Sequence, residues 1–525
     1  MLSRRALLGW IGKTAGAAAM YQAMTSLGYA QGTTTHGGAF ALSGAPKGTR
    51  VLVLGAGLAG MTAAFELRKA GYQVKVLEYN AKAGGRCWTL RGGDTYRELG
   101  GETQQCQFAE GNYLNPGPWR IPYHHYGVLD YCKQFGVLLE PFIQVNYNAV
   151  LHSTKAFNGK PVPYREVQAD YQGHVAELLS KAVNAGTLDD TLTKEDREKL
   201  FESLRHWGAL DHNGQYTKSV ESSLRRGFSV DAGGGLMPLA DPSKVIDRDA
   251  LINSELWKKI ASAQEYEFQS TIFQPVGGMD MIAKAFEKQV SDLIEYQAKV
   301  THITQNDNGV TATYTVGGQQ KTASADWCVC TIPLSILSQM PIEVSAPMQA
   351  AIKSVPYEAS VKIGLEFKRR FWEEDEAIYG GISYTDLPIN RISYPSTEYG
   401  RKGKGVLLGG YCFGPNAYEF TAMSAKQRIQ HAVSQGSQLH HQYEAEFDNG
   451  ISVGWHRVPW ANGCYGAWTD ELREQHYKTL CQIDGRIVLA GEHASYIPAW
   501  QEGAILSARD AIERLHKHIH TLASA

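Results

Sequence analysis

Excess charge is the first thing this sequence lacks. Its 51 Lys and Arg residues nearly cancel 53 Asp and Glu residues, leaving a formal net charge of −2. A nucleic acid or an anionic membrane surface calls for a basic face, so this balance argues against both as partners. Long apolar runs are missing too. After the first thirty residues no stretch is long and apolar enough to span a bilayer. Metal-ligand cysteine spacing is absent: the eight cysteines (Cys87, Cys106, Cys132, Cys328, Cys330, Cys412, Cys464 and Cys481) contain no zinc-finger pair. No metal site is expected. Cys328 and Cys330 lie two apart in a strand pattern, share a face and cannot easily bridge each other. There is no internal repeat. At 525 residues the chain is too long for one simple core, so two or three domains are expected.

What the chain does have is a glycine turn in a telling place. The apolar run Val51-Leu52-Val53-Leu54 enters Gly55-Ala56-Gly57-Leu58-Ala59-Gly60, and Met61, Ala64, Phe65 and Leu67 then recur at helical spacing. A second strand, Gln73–Leu77, ends on Glu78. Strand, turn, helix, strand and acid in that order form a dinucleotide fingerprint. Gly55 makes the tight turn, Gly57 lets the backbone approach a pyrophosphate, and Gly60 lets helix and strand pack closely. The helix N-terminus offers unpaired N–H groups to phosphate, and Glu78 suits a ribose hydroxyl. Ala83-Gly84-Gly85-Arg86 follows, with two glycines for close approach and an arginine placed to meet a phosphate. The turn by itself names neither the dinucleotide nor the chemistry.

Other segments set the organisation. Ser3-Arg4-Arg5-Ala6-Leu7-Leu8, an Ala-rich run to Leu27 and Gly28-Tyr29-Ala30 read as a twin-arginine-type signal peptide over residues 1–30. That implies a periplasmic or extracellular protein. Residues 31–47, rich in Gly, Thr, Ser and Ala, read as a linker. Residues 151–270 carry mostly helical patterns, with a capping box at Thr193-Lys194-Glu195-Asp196. Further strands are expected near Val300, Val310–Val316, Trp327–Cys330, Val361–Phe367, Val406–Phe413 and Arg486–Ala490, with a closing helix from about Gly503 to His520.

These motifs together resemble the flavin amine oxidase family, and most of all its bacterial L-amino acid oxidases. The likeness covers most of residues 48–520: GAGLAG at Gly55, Glu78, AGGR at Ala83, PVGGM at Pro275, CTIP at Cys330, AGEH at Ala490 and AWQEGAI at Ala499 appear in the family's order. The resemblance implies an α/β protein, α+β overall. A discontinuous Rossmann-type FAD-binding domain (48–110, 271–345 and 470–525) would carry an inserted mixed-sheet substrate domain (111–150 and 346–469) and a helical insert (151–270). FAD would meet Gly55, Gly57, Leu58, Ala59, Gly60, Glu78, Gly85, Arg86, Gly117, Trp119, Arg120, Val300, Glu492, Ala504 and Ile505, with Gly84 beside the phosphates. Non-covalent binding is expected; a covalent link through Cys464, as in monoamine oxidases, is the alternative.

The resemblance also implies a substrate site. The segment Gly117-Pro118-Trp119-Arg120-Ile121-Pro122 is similar to the GPxRIP stretch whose arginine clamps a carboxylate, a task suited to the planar guanidinium fork. Tyr411 would give that carboxylate a hydroxyl. Tyr465 and Trp500 would wall the substrate, with Ala499 alongside, and Lys362 would hold a water near the flavin. A histidine proposed as a base in venom relatives has no match within 151–270, so proton abstraction stays unassigned. The implied reaction converts an L-amino acid and oxygen to a 2-oxo acid, ammonia and hydrogen peroxide. The rival readings are a monoamine or polyamine oxidase, an amino acid 2-monooxygenase, and a flavin-bearing binding factor without turnover. Large members often dimerise, so a homodimer is among the expectations.

Overall fold

The computed structural model of the chain describes residues 40–186 and 192–524. The expected signal peptide lies outside these residues. The part of the expected linker that is described does not hang free. Phe40, Leu42 and Ala45 pack on the core, and the Ala45 N–H donates to the Ala70 carbonyl at 2.7 Å. Two sizeable apolar side chains within a small-residue stretch are the physical reason.

The glycine turn joins β1 (Arg50–Leu54) to helix α1 (Leu58–Lys69), which returns to β2 (Gln73–Leu77). Strands from far along the chain complete their sheet: β3 (Ile294–Glu295), β4 (Trp327–Cys330), β5 (Ile483–Asp484) and β6 (Ile487–Leu489). The spatial order is β3-β2-β1-β4-β6-β5, with every pair parallel except β6 with β5. Parallel sheets are covered on both faces, and β1 shows why its four apolar residues are consecutive. Val51 and Val53 point into one core with Ala64, Phe286, Ala508 and Ile512. Leu52 and Leu54 point into another with Cys328, Leu337 and Ile352. The closing helix α2 (Gln501–Ser524) lies in the first of these cores.

A seven-stranded sheet forms the second layer. Its strand Ser360–Phe367, next to the edge strand Phe447–Gly454, is buried along all eight residues and antiparallel to both Gly405–Phe413 and Phe447–Gly454. A smaller sheet pairs Ile272–Pro275 with both Ile121–Pro122 and Leu139–Phe142. Ile272–Pro275 therefore hydrogen-bonds to segments expected in the substrate domain rather than to the nucleotide sheet. Within 151–270 the helices Tyr164–Asn184 and Lys194–Gly208 dominate, but a short hairpin, Phe228–Val230 with Asp241–Pro242, interrupts the helical pattern. The capping box is present: Thr193 Oγ accepts from the Asp196 N–H at 3.1 Å, and the Asp196 carboxylate accepts from the Thr193 N–H at 3.4 Å. None of the eight cysteines is bridged. Among the described residues no helix is long and apolar enough to cross a membrane.

Candidate active site

A cavity of about 600 Å³ opens between the glycine turn and the seven-stranded sheet. Gly55, Gly57, Leu58, Ala59, Glu78, Gly85, Arg86, Gly117, Trp119, Arg120, Val300, Tyr411, Tyr465, Glu492, Ala499, Trp500 and Ala504 all line it. Three expected site residues do not. Gly60 sits one step back: a Cβ there would lie 1.9 Å from the Gly55 carbonyl oxygen, so its task is close packing of α1 on β1. Ile505 is fully buried in the core beneath the cavity. Lys362 is buried behind the wall, as described below.

The end of the cavity at the turn is built for phosphate and ribose. Gly55 has φ +99°, a conformation that side chains resist. No side chain caps the first turn of α1, which leaves backbone N–H groups there facing the cavity. Gly84 N–H donates to the Ala56 carbonyl at 2.8 Å, and a Cβ on Gly85 would approach Gly57 Cα to 3.3 Å. The two glycine segments touch; a Cβ on Gly84 would lie 2.8 Å from Ala283 Cβ, whereas one on Gly57 would meet nothing within 4 Å. The Glu78 carboxylate accepts from the Ala56 N–H at 2.6 Å and the Asn80 N–H at 2.8 Å. Burial nonetheless pushes its pKa up. Arg86, which lines the cavity, pairs with Glu492 at 2.7 Å and donates to the Cys464 carbonyl at 2.9 Å. The ion pair bridges residues 406 positions apart and fixes both at the cavity wall.

The other end is aromatic and positively charged. Arg120 is 7% exposed and donates to Gln144 Oε1 at 2.8 Å. Its Nε is buried without a partner, and no carboxylate pairs with it among the described residues. The guanidinium lies 4.3 Å from the Phe268 ring centre, 4.9 Å from that of Trp119 and 5.8 Å from that of Trp500. Burial pushes its pKa down to about 10, so it is still charged at neutral pH. Tyr411 stands across the wall, edge-on to Trp119 at 5.6 Å, and burial keeps its phenol protonated. Ala499 adopts φ +70°, which is rare for a residue with a Cβ, and its N–H donates to Glu492 Oε2 at 3.3 Å. Lys362 Nζ donates to the Gly117 carbonyl and, at 3.2 Å, to that of Asn115. It lies 4.8 Å from the Trp119 ring centre and 4.5 Å from that of Tyr411. Burial lowers its pKa well below the ordinary lysine value.

Phe268 and Arg391 are among the lining residues that were not anticipated. Phe268 comes from the far end of the helical insert, where no periodic pattern flags it. Arg391 opens the short strand Arg391–Ser393, follows a left-handed Asn390 (φ +62°) and bonds to that residue's side chain. An arginine at the mouth of an apolar strand was the available signal.

Comparison with known proteins gives a consistent picture. A model of the flavin containing amine oxidoreductase family matches residues 58–516. YobN of Bacillus subtilis (strain 168) is 30% identical over 481 residues, covering 89% of this chain and 94% of that one. An L-amino-acid oxidase of Siganus canaliculatus is 29% identical over 476 residues, covering 89% and 85%. Among solved structures, cyclohexylamine oxidase from Brevibacterium oxydans IH-35A superposes with a TM-score of 0.60 at 16% identity, covering 90% of this chain and all of that one. At that identity the likeness speaks for the fold alone.

Proposed function

This chain belongs to the flavin containing amine oxidoreductase family, and on that premise we propose that it is an FAD-dependent oxidase of L-amino acids. The products are a 2-oxo acid, ammonia and hydrogen peroxide. The observation that carries this reading is Arg120. A buried guanidinium without a carboxylate partner, aimed into a cavity, needs an anion there to be fully satisfied, and an amino acid brings one.

The residues at the glycine end fit a dinucleotide: crowded glycines, a free helix N-terminus and a buried carboxylate at the end of β2. Gly55, Gly57, Leu58, Ala59, Glu78, Gly85, Val300, Glu492 and Ala504 would hold FAD, with Arg86 steadied by Glu492. The bound flavin supplies the two-electron acceptor and its reoxidation by oxygen. The chain's own groups bind and orient. Arg120 takes the substrate carboxylate with Tyr411 hydroxyl support. Trp500 and Tyr465 exclude water from the amine. Lys362 orients a water beside the flavin from its carbonyl cradle. Cys464 lines the cavity, but burial raises its thiol pKa, which makes it a poor nucleophile and favours non-covalent FAD.

We also read residues 1–30 as an export signal and segments 48–110, 271–345 and 470–525 as the FAD-binding unit. The test of function is a peroxide-release screen over L-amino acids, their D-isomers and the matching decarboxylated amines. Turnover confined to L-amino acids is expected; equal turnover of the amines would make the protein an amine oxidase instead.

A further inference from the structure

On the outer side of the Trp500 wall the chain assembles three side chains of metal-binding type. His124 and His125 are consecutive, at the entry to the helix Tyr126–Phe135, and Glu267 comes from the turn Tyr266–Phe268. The His125 Nε2 lies 2.9 Å from Glu267 Oε2, and the His124 Nε2 lies 3.2 Å from the same oxygen. One ligand atom from each residue falls within 4.8 Å of the other two. His125 is buried, while His124 and Glu267 are half-buried, so an ion could reach them. The two rings stand nearly perpendicular, at 86°, which lets both Nε2 atoms converge.

We propose that His124, His125 and Glu267 form a site for a zinc-class divalent cation. Two imidazoles and one carboxylate are a ligand set that such ions favour over magnesium or calcium. Zinc bonds of roughly 2.0–2.1 Å in a tetrahedron place ligand atoms about 3.3 Å apart. The two nitrogen-to-oxygen separations already approach that value, and the two nitrogens lie within 4.8 Å of each other. Each Nε2 donates to the acceptor-only Glu267 carboxylate, so zinc would displace that proton to Nδ1 or to solvent; the His124 Nδ1 is buried without a partner and can take it. Three protein ligands leave one coordination position for water. Local pattern carries no sign of this cluster, because Glu267 lies 142 residues from His125 and the pair His-His has no recognised spacing with it.

The ion would tie two walls of the cavity together. Glu267 adjoins Phe268, whose ring lies against Arg120, and the His125 ring meets Trp500 edge-on at 5.0 Å. Binding should therefore raise thermal stability as well as register in titration.

The experiment uses the flavin-loaded full-length protein and zinc chloride alone. Calorimetric titration compares wild type, Glu267→Gln and His124→Asn, each checked for a normal flavin spectrum and zinc-free Tm. Crystals of the wild type soaked in zinc are measured at the zinc absorption edge. The wild type should bind one more zinc per chain than either variant, or bind it at least roughly tenfold more tightly. Its Tm should rise with zinc where theirs do not, and an anomalous peak should lie between the three side chains. Equal zinc binding in all three proteins, or no peak at this position at saturating zinc, would overturn the proposal. Should neither variant fold, the anomalous map decides alone.

Discussion

Arg120 holds a positive charge in an aromatic box with one neutral amide as its hydrogen-bond partner. Two charge-assisted bonds to a substrate carboxylate would each contribute about 1.5–3 kcal/mol. Arg120→Ala should thus raise KM for amino acids by about 10²-fold or more, with a smaller effect on kcat, as measured by steady-state peroxide release. His493 offers a test by pH. Burial pushes its pKa down to about 4, its Nε2 has no partner, and its Nδ1 meets the Tyr357 hydroxyl at 3.3 Å. A histidine whose folded pKa lies below its unfolded value, about 6.5, resists protonation when folded. Its contribution is complete above pH 6.5 and is lost as the pH falls towards 4. At about 1.4 kcal/mol per unit, the loss should reach about 2–3 kcal/mol. Urea unfolding at pH 7 and pH 4 should show wild type losing that much more than His493→Gln. At this scale the sequence exposed Arg120 through its neighbours Gly117, Pro118 and Pro122. It did not expose Arg391 or Phe268, because nothing near them in sequence marks which cavity they would face.

Elements were legible where apolar periodicity was strong. The run Val51–Leu54, the α1 pattern and the strand from Val361 all appear where their composition puts them. Two-residue strands such as Ile121–Pro122 were not, since pairing with Ile272–Pro275 depends on a partner some 150 positions away and not on local pattern. Buried ion pairs were equally hidden. Glu98 and Arg428 form a bidentate pair, at 2.5 and 2.8 Å, that is nearly inaccessible to water. It ties the loop after the glycine-rich unit to the helix Ala425–Gly436. Removing Arg428 leaves the buried Glu98 with only the partly exposed Arg457, 3.9 Å away, at a cost of up to about 3–5 kcal/mol. Arg428→Met should lower the unfolding free energy by about that amount in guanidinium titrations. A loss below 1 kcal/mol would mean that water reaches Glu98 in the native state.

Across the whole molecule, distant segments return to one cavity. The Glu502 carboxylate, at the start of α2, accepts the N–H groups of Gly127 and Val128, both at 2.8 Å, and so caps the helix Tyr126–Phe135. Arg86 meets Glu492 in the same way. The glycine turn was readable alone, but its meaning came from these long-range closures. The account's central claim is that Arg120 selects a carboxylate-bearing substrate for a flavin held at the glycine turn. The most direct measurement is anaerobic mixing of the flavin-loaded protein with an L-amino acid or its decarboxylated amine, followed by flavin absorbance. The account predicts rapid bleaching by the amino acid, slow or no bleaching by the amine, and loss of that preference in Arg120→Ala. Equal bleaching by both in the wild type, or a preference that survives in Arg120→Ala, would contradict it.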